Sequence, residues 1–399
     1  MMAISRRSLP LHLLPLLLFL GAANAISPVR TFVSKARGGK VMSASLDEDV
    51  VDPTSIAGAC DADVVSRSGY FDVAGSAYDT NADKSYYFWA FESRNDPATD
   101  PVVLWLTGGP GCSSTLALLS ENGPCSITAD GAGTATNPAS WNSNATVIWL
   151  DQPAGVGFSY GTMNDNNEDM VGEDAYYFLQ NFFADHPEYA SQPFFVFGES
   201  FGGHYAPGVA HAIFEKNKDV PEGAVRINLS GLGIGNGLTD PVTQYQYYAE
   251  MAMNNTYGIK TVSEEAYASM VAHIPACVQT AEACQDDSSK CHTSQTLCSL
   301  WETTPYYETG LNPYDIRIPC EVPGLCYNFS NVETFLANPA VLEALHVRTD
   351  KSAAWTECNC ELSLVNEGGS EFFFYAEHCC LSLRTVLFSI FFGTSPLLM

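Results

Sequence analysis

Basic residues are scarce in this sequence. Its 399 residues include 18 Lys and Arg against 45 Asp and Glu, which gives a formal net charge of −27 at pH 7. A surface of that sign repels polyanions, which argues against nucleic acid as a partner. The acidic residues are spread along the chain rather than clustered, as is typical of a well-solvated globular surface.

The sequence also lacks an apolar run as long as the roughly 20 residues that a membrane-spanning helix needs. The run 11–20 is short, follows Arg6 and Arg7, and precedes the small-residue triplet 23–25. This pattern is typical of a secretory signal peptide. The late apolar run 386–392 is shorter still, so no stable membrane span is predicted.

A tight C-x-x-C pair, which would favour a structural zinc site, is missing from the cysteine-rich part of the chain. Thirteen cysteines are present, and six of them lie between Cys277 and Cys326. Disulfides persist in oxidising compartments, so these cysteines agree with the predicted signal peptide. We therefore predict disulfides, no metal site and at least one thiol without a partner in the chain. The sequence alone does not fix the pairing.

Four N-x-S/T sequences offer glycosylation sites in a secreted chain. They begin at Asn144, Asn228, Asn254 and Asn328. With the signal peptide and the cysteines, they predict entry into the secretory pathway. A vacuole or lysosome and the extracellular space are equally compatible destinations.

Apolar runs alternate with turn signals between residues 70 and 240. Strands are predicted at 86–91, 101–106, 146–150, 194–197 and 225–232, and helices at 173–183 and 205–214. Such alternation predicts an α/β fold with a mostly parallel sheet. Ligands bind such sheets beyond the carboxyl ends of the strands, where the glycine clusters of this sequence lie.

The chain changes character after residue 240. Helices are predicted at 245–253, 263–274 and 331–345, with the cysteine-rich block among them. This composition predicts a helical insertion on the sheet. The predicted divisions are a signal peptide (1–25), a pro-segment or disordered leader (26–58), an α/β core (59–240), the insertion (241–335), a return to the core (336–360) and an atypical apolar tail (361–399).

Ser200 lies in the sequence Gly198-Glu199-Ser200-Phe201-Gly202, directly after a predicted strand. In a nucleophile elbow of this G-x-S-x-G type, the serine occupies a sharp strand-to-helix turn, and small residues on both sides relieve the crowding. The N–H of Phe201 then points at the oxygen of a tetrahedral intermediate, and a second N–H must come from another strand end. The turn 107–111, "TGGPG", suits that second donor. Alone, Ser200 could equally be a polar residue in a glycine-rich turn.

Five stretches together carry a family resemblance: "GESFGGHYAP", "LTGGPGCSS", "ENGP", "WNSNATVIWLDQPAGVGFSY" and "GIGNGLTDP". In order and spacing they resemble the serine carboxypeptidases, the carboxypeptidase Y-like branch of the α/β-hydrolases, from about residue 60 to about residue 358. The resemblance implies an α/β-hydrolase fold with a mostly parallel central sheet flanked by helices and a helical disulfide-bonded insertion. It implies a peptidase that releases C-terminal residues from peptides at acidic pH, without a cofactor or a metal, and it is compatible with a homodimer.

The resemblance also implies roles for individual residues. Ser200 matches the family nucleophile, and the amides of Gly109 and Phe201 match its oxyanion hole. Glu199 and Glu121 match two carboxyl groups that share a hydrogen bond and bind the C-terminal carboxylate of the substrate. Two close carboxyl groups do not both ionise readily, so one keeps a proton that it can donate to a carboxylate. For Glu199, a solvated carboxylate favoured by the helix dipole is the alternative.

Three further residues lie in or beside these motifs. At Thr107 many relatives have asparagine, and a hydroxyl could still donate one hydrogen bond to the substrate carboxylate. Trp105 matches a residue near the carboxylate pocket, although a core aromatic is an equal alternative. His204 follows the nucleophile by four residues, but it lies along the next helix, so we interpret it as structural.

The cysteine pairs that the resemblance implies are Cys112–Cys358, Cys277–Cys298, Cys284–Cys291 and Cys320–Cys326. No partner follows from it for the other five cysteines, which are Cys60, Cys125, Cys360, Cys379 and Cys380.

The family's late motifs, a "GD"-type turn for the catalytic aspartate and an "HMVP"-type motif for the catalytic histidine, are not found. His378 is the one late candidate base. Without a base, activity should fall by several orders of magnitude, and the sheet should lose its last strands. Two alternatives therefore stay open: a related acyltransferase that uses the same serine, and a non-catalytic secreted fragment or binding protein.

Overall fold

The computed structural model describes residues 49–322 and 325–359. Its centre is a mixed sheet with helices on both faces. The predicted signal peptide, most of the predicted leader, Cys360 and the tail 361–399 lie outside the described residues. The last part of the predicted leader packs into the fold, because Val51 and Ala57 are buried.

The strands and helices have the following bounds. The strands are β1 (Asp49–Val50), β2 (Ser66–Asp72), β3 (Ser85–Phe91), β4 (Val102–Leu106), β5 (Cys125–Ile127), β6 (Thr134–Thr136), β7 (Thr146–Leu150), β8 (Phe194–Glu199), β9 (Leu229–Gly235), β10 (Leu311–Asn312) and β11 (Asp315–Pro319). The helices are α1 (Ser114–Ser120), α2 (Glu168–Asp185), α3 (Gly202–Lys216), α4 (Pro241–Gln244), α5 (Tyr248–Met253), α6 (Glu264–Asp286), α7 (Cys291–Cys298), α8 (Thr304–Tyr307), α9 (Ser330–Leu336) and α10 (Pro339–Ala344).

The main sheet has the strand order β1-β2-β3-β7-β4-β8-β9. The pairs from β1 to β7 are antiparallel, and those joining β7, β4, β8 and β9 are parallel. All five residues of β4, "VVLWL", are buried, as expected for an interior strand covered on both faces. This is the α/β-hydrolase fold.

Two apolar clusters, one on each face, hold the sheet between helices. On one face, side chains of α2 and α3 pack with Leu104 and Val196, and on the other, α1, α9 and α10 pack with Val103 and Trp105. Alternate residues of β4 thus reach opposite faces, which is the two-residue period of a strand.

Strand β9 forms one edge of this sheet in the part of the chain that the structure describes. Its side chains Leu232 and Ile234 are 46% and 41% exposed. On its other face, Gly231 and Gly233 leave space that the rings of neighbouring aromatic residues fill. The strand begins later than the predicted 225–232, because the segment before it is held by the side chain of Gln180 instead of a neighbouring strand.

Several boundaries depart from the sequence pattern for local reasons. The predicted helix 331–345 is two helices, α9 and α10, because Pro339 starts a new helix after the capping side chain of Asn338. The predicted helix 263–274 continues to Asp286, with Pro275 inside it. Strand β2 and the hairpins β5–β6 and β10–β11 were not predicted, since short or half-polar strands give little periodicity.

Five disulfides join the described cysteines. The pairs Cys112–Cys358, Cys277–Cys298, Cys284–Cys291 and Cys320–Cys326 are those that the resemblance implies. The fifth, Cys60–Cys125, links two cysteines for which no partner was predicted. In the described ranges, no helix is both long enough and apolar enough to span a bilayer.

Glu302 is a buried acid in the predicted insertion. It belongs to a single π-helical turn, Ser299–Thr303, and no part of it is exposed. Neither carboxylate oxygen has a hydrogen-bond partner among the described residues. Burial raises the pKa of Glu302 to about 7. A group of this kind is neutral in the folded protein in acid and becomes a buried charge as the pH rises.

We therefore expect the free energy of unfolding to depend on Glu302. Its folded pKa lies above its unfolded value, so the folded state binds the extra proton. The contribution of Glu302 to the free energy of unfolding is therefore greatest in acid. It decreases by about 3 kcal/mol at most as the pH rises through about 7. Urea unfolding as a function of pH measures this slope. Glu302→Gln should flatten it, whereas Glu282→Gln, at an exposed position of α6, should not. Equal slopes in all three proteins would contradict the prediction.

Candidate active site

Ser200 lies in a strained turn between β8 and α3. Its φ is +56°, a left-handed conformation that residues other than glycine rarely adopt. The N–H of Ser200 donates to the carbonyl of Gly235 over 3.1 Å, and its carbonyl accepts from the N–H of Leu238 over 2.9 Å. The turn is therefore fixed on the end of β9. This is the geometry of a nucleophile elbow.

The glycines around the elbow are required by close backbone contacts. A Cβ on Gly198 would lie 2.1 Å from the carbonyl oxygen of Gly202. A Cβ on Gly108 would lie 2.3 Å from the amide nitrogen of Phe201. The turn that contains Gly108 thus packs directly against the amide that the elbow presents.

Replacing Gly108 by alanine should destabilise the folded chain, because its Cβ would meet backbone atoms, which cannot rotate away. We expect a loss of about 3 kcal/mol, at the upper end for overpacking, measured by urea unfolding. Gly235→Ala is the matched control, since no atom lies within 4 Å of its Cβ position. Equal stability of the two variants would show that the contact between the turns is not close.

The turn before α1 is held at several points. Gly109 has a φ of +111°, and the N–H of Cys112 closes the turn on the carbonyl of Gly108 over 3.0 Å. The N–H of Gly111 donates to the buried hydroxyl of Tyr205 over 3.2 Å. Its carbonyl accepts from the N–H of Asn359 over 2.8 Å. This turn carries the predicted oxyanion amide of Gly109.

Two carboxyl groups meet beside the elbow. Glu199 is the last residue of β8, and Glu121 caps the C-terminus of α1. Glu121 has surface open to solvent, yet protein atoms crowd its carboxyl group. This crowding, the charge of Glu199 and a hydrogen bond between the two carboxyl groups raise the pKa of Glu121 well above its usual range. The pair therefore holds a proton in acid, which one carboxyl group can donate.

Thr107 and Trp105 lie on the same strand end. The indole N–H of Trp105 donates to the hydroxyl oxygen of Thr107 over 3.1 Å, and Thr107 is buried. Since the hydroxyl accepts this bond, its own proton is available to a second group. The ring of Trp105 also meets the ring of Trp141 edge-on at 5.0 Å.

His204 lies on α3 with its ring stacked on the ring of Phe201 at 4.4 Å, nearly parallel. In the part of the chain that the structure describes, no side chain is hydrogen-bonded to the Ser200 hydroxyl. His378, the late candidate base, lies outside the described residues.

Asp151 is a buried acid that holds the start of α1 in place. It was not predicted as a site residue. It accepts from the hydroxyl of Ser113, which caps α1, over 2.6 Å, and from the N–H of Phe158 over 3.1 Å. The indole N–H of Trp355 donates to the same Ser113 hydroxyl over 3.0 Å. Burial raises the pKa of Asp151 to about 6 although its hydrogen bonds lower it. The polar residue that follows an apolar strand, in "WLDQP", was the available signal.

A family model described as serine carboxypeptidase matches residues 58–391. The chain belongs to the serine carboxypeptidase family.

Two curated carboxypeptidases are similar to the chain over most of its length. It is 41% identical over 329 residues to carboxypeptidase Y homolog A of Talaromyces marneffei. That alignment covers 82% of the chain and 56% of the relative. It is 42% identical over 309 residues to carboxypeptidase Y of Saccharomyces cerevisiae. That alignment covers 76% of the chain and 55% of the relative. The chain thus spans little more than half the length of these curated relatives.

A solved structure is similar in fold. It is the Saccharomyces cerevisiae Kex1(delta)p, a prohormone-processing carboxypeptidase, with 27% sequence identity and a TM-score of 0.64. The likeness covers 80% of this chain and 71% of that one.

Proposed function

We propose that this protein is a serine carboxypeptidase that releases C-terminal residues from peptides through an acyl-enzyme at Ser200. The hydrogen-bonded pair of Glu121 and Glu199 carries the proposal, because two carboxyl groups that share a proton can bind a carboxylate. In a peptide backbone, only the C-terminus has a carboxylate. Since Glu199 directly precedes Ser200, the recognised end and the attacked bond are neighbours.

In the proposed reaction, Oγ of Ser200 attacks the carbonyl carbon of the last peptide bond. The Oγ–C bond forms, the C–N bond breaks, and the serine proton passes through a base to the departing amine. Water then attacks the acyl carbon: a new O–C bond forms, the Oγ–C bond breaks, the water proton passes through the base back to Oγ, and the shortened peptide leaves with a new C-terminal carboxylate. The amides of Gly109 and Phe201 are proposed to stabilise the negative oxygen of each tetrahedral intermediate. The base is not assigned among the described residues.

Thr107 is proposed to assist the carboxyl pair. Because its hydroxyl oxygen accepts from Trp105, its proton is oriented away from the indole and can be donated to the substrate carboxylate. Binding of that carboxylate should persist for as long as the pair retains its proton, which the raised pKa of Glu121, about 9, extends to neutral pH. It should weaken as the pH rises through the raised pKa of Glu121, because two carboxylates would then repel a third.

The experiment that tests the proposed function compares two peptides of one sequence, one with a free C-terminus and one amidated. Mass spectrometry should detect loss of the last residue from the free peptide only, with the parent chain and not with Ser200→Ala. Equal cleavage of both peptides, or cleavage at internal bonds, would contradict the proposal.

The route through the cell and the association state belong to the same proposal. Five disulfides favour folding in an oxidising compartment, so we propose entry into the secretory pathway. The vacuolar or extracellular destination, glycosylation at the four sequons and a homodimer stay predictions.

A further inference from the structure

Tyr205 connects the two turns that carry the proposed oxyanion amides. It lies in the first part of α3, five residues after Ser200, and it is fully buried. Its hydroxyl accepts the N–H of Gly111 over 3.2 Å. Its ring meets the ring of Phe201 at 5.2 Å with an interplanar angle of 71°. One side chain therefore contacts both the glycine turn and the residue after the nucleophile.

The glycine turn depends on this hydroxyl for one of its polar groups. Gly111 is buried, and its N–H points into the apolar cluster to which Tyr205 belongs. A buried N–H that loses its acceptor costs about 1–3 kcal/mol, so the turn would move to find another partner. Such a movement would displace Gly109, which lies only two residues earlier in the same turn.

Two acidic residues, Glu168 and Asp165, act on the pKa of the Tyr205 hydroxyl. Burial, then the charge of Glu168, raise the pKa of Tyr205 far above its usual range, and the charge of Asp165 raises it further. Asp165 is itself held by the buried ammonium group of Lys84, with an Nζ–Oδ1 distance of 2.6 Å. The phenol therefore stays protonated at every pH at which the protein would work, and its acceptor role does not titrate.

We propose that Tyr205 is a positioning residue of the oxyanion hole: its hydroxyl fixes the Gly108–Cys112 turn, and with it the Gly109 amide, against the elbow. The inference rests on the proposed function of Ser200 and adds a residue to which that function gives no role. Tyr205 acts through the turn and does not touch the substrate.

The test is Tyr205→Phe in the full chain, which removes the acceptor and keeps the ring. Labelling of Ser200 by a fluorophosphonate at saturating probe should slow about ten-fold or more, since misplaced oxyanion donors cost that much or more. Affinity for a free-carboxylate peptide, measured by protection from the probe, should stay within about two-fold because the carboxyl pair is intact. The defect should be the same in acid and at neutral pH.

Tyr189→Phe is the matched control. Tyr189 lies in the same apolar cluster, is also buried, and donates its hydroxyl proton to Glu92 over 2.6 Å. Tyr189→Phe thus removes the hydrogen bonds of another tyrosine hydroxyl in the same cluster, to Glu92 and Arg67, and it should be labelled at the rate of the parent chain. Equal slowing of both variants would reduce Tyr205 to a general stabilising residue and overturn the proposal.

Amide exchange decides the role of the hydroxyl without any catalysis. With glycine-selective 15N labelling, the Gly111 amide of the parent chain should be protected, and Tyr205→Phe should accelerate its exchange about ten-fold or more. Fast exchange of Gly111 in the parent chain overturns the proposal, even if the variant does not fold. If the parent chain is not labelled at Ser200, the proposed function fails, and the exchange result still decides whether Tyr205 holds the turn.

Discussion

Ser200→Ala should abolish covalent labelling of the chain by a fluorophosphonate. The probe forms a phosphorus–oxygen bond with an activated serine hydroxyl and releases fluoride, so removing Oγ removes the reaction. The positive φ of Ser200 and the glycines beside it present this hydroxyl, and alanine preserves the backbone of the turn. The expected effect is complete loss of the adduct, measured by intact-protein mass spectrometry.

Ser191→Ala is the control for this result, because Ser191 lies on an exposed loop before β8. It should be labelled like the parent chain. The rate in the parent chain also reports on the base: a serine without one retains only the contributions of the oxyanion hole and binding, so labelling would be slow by several orders of magnitude. Label that persists in Ser200→Ala would assign the reaction to another residue.

Glu199→Gln should selectively weaken recognition of a free C-terminus. The amide side chain keeps the shape of the residue but breaks the pair of carboxyl groups that shares one proton. A hydrogen bond to a charged group is worth about 1.5–3 kcal/mol, so affinity for a free-carboxylate peptide should fall about 10- to 100-fold. An amidated peptide should bind the variant and the parent chain alike. Protection from the fluorophosphonate measures both affinities.

The pH dependence provides an independent check on the pair. In the parent chain, affinity for the free-carboxylate peptide should decline as the pH rises through the raised pKa of Glu121. Glu121→Gln has no proton to lose there, so its affinity should not decline over the same range. Glu222→Gln, at an exposed position before β9, should behave as the parent chain. Equal loss for the amidated peptide would contradict a role in carboxylate binding.

The sequence predicts the part of this fold that depends on local pattern. Strands β4, β7 and β8 follow from apolar runs that end in glycine or in a polar residue, because a buried strand has no polar face. The elbow can be predicted as well, because a sharp strand-to-helix turn leaves no room for a Cβ at positions 198 and 202, so glycine there is a visible signal.

Contacts between distant segments could not be predicted in the same way. The Cys60–Cys125 bond joins residues 65 positions apart, and nothing local distinguishes these cysteines from the other unassigned ones. The bond from Gly111 to Tyr205 likewise depends on how α3 packs beneath the glycine turn. The burial of Glu302 has no local signal either, because a glutamate in a helical segment usually faces water.

One measurement tests most directly the claim that Ser200 attacks a peptide whose C-terminal carboxylate is held by Glu121 and Glu199. The parent chain is labelled with a fluorophosphonate in acid in the presence of the free-carboxylate peptide or its amidated twin, and the adduct is mapped by tandem mass spectrometry. We expect a single adduct, on Ser200, that the free peptide suppresses and the amidated peptide does not. An adduct elsewhere, or equal suppression by both peptides, would contradict the account.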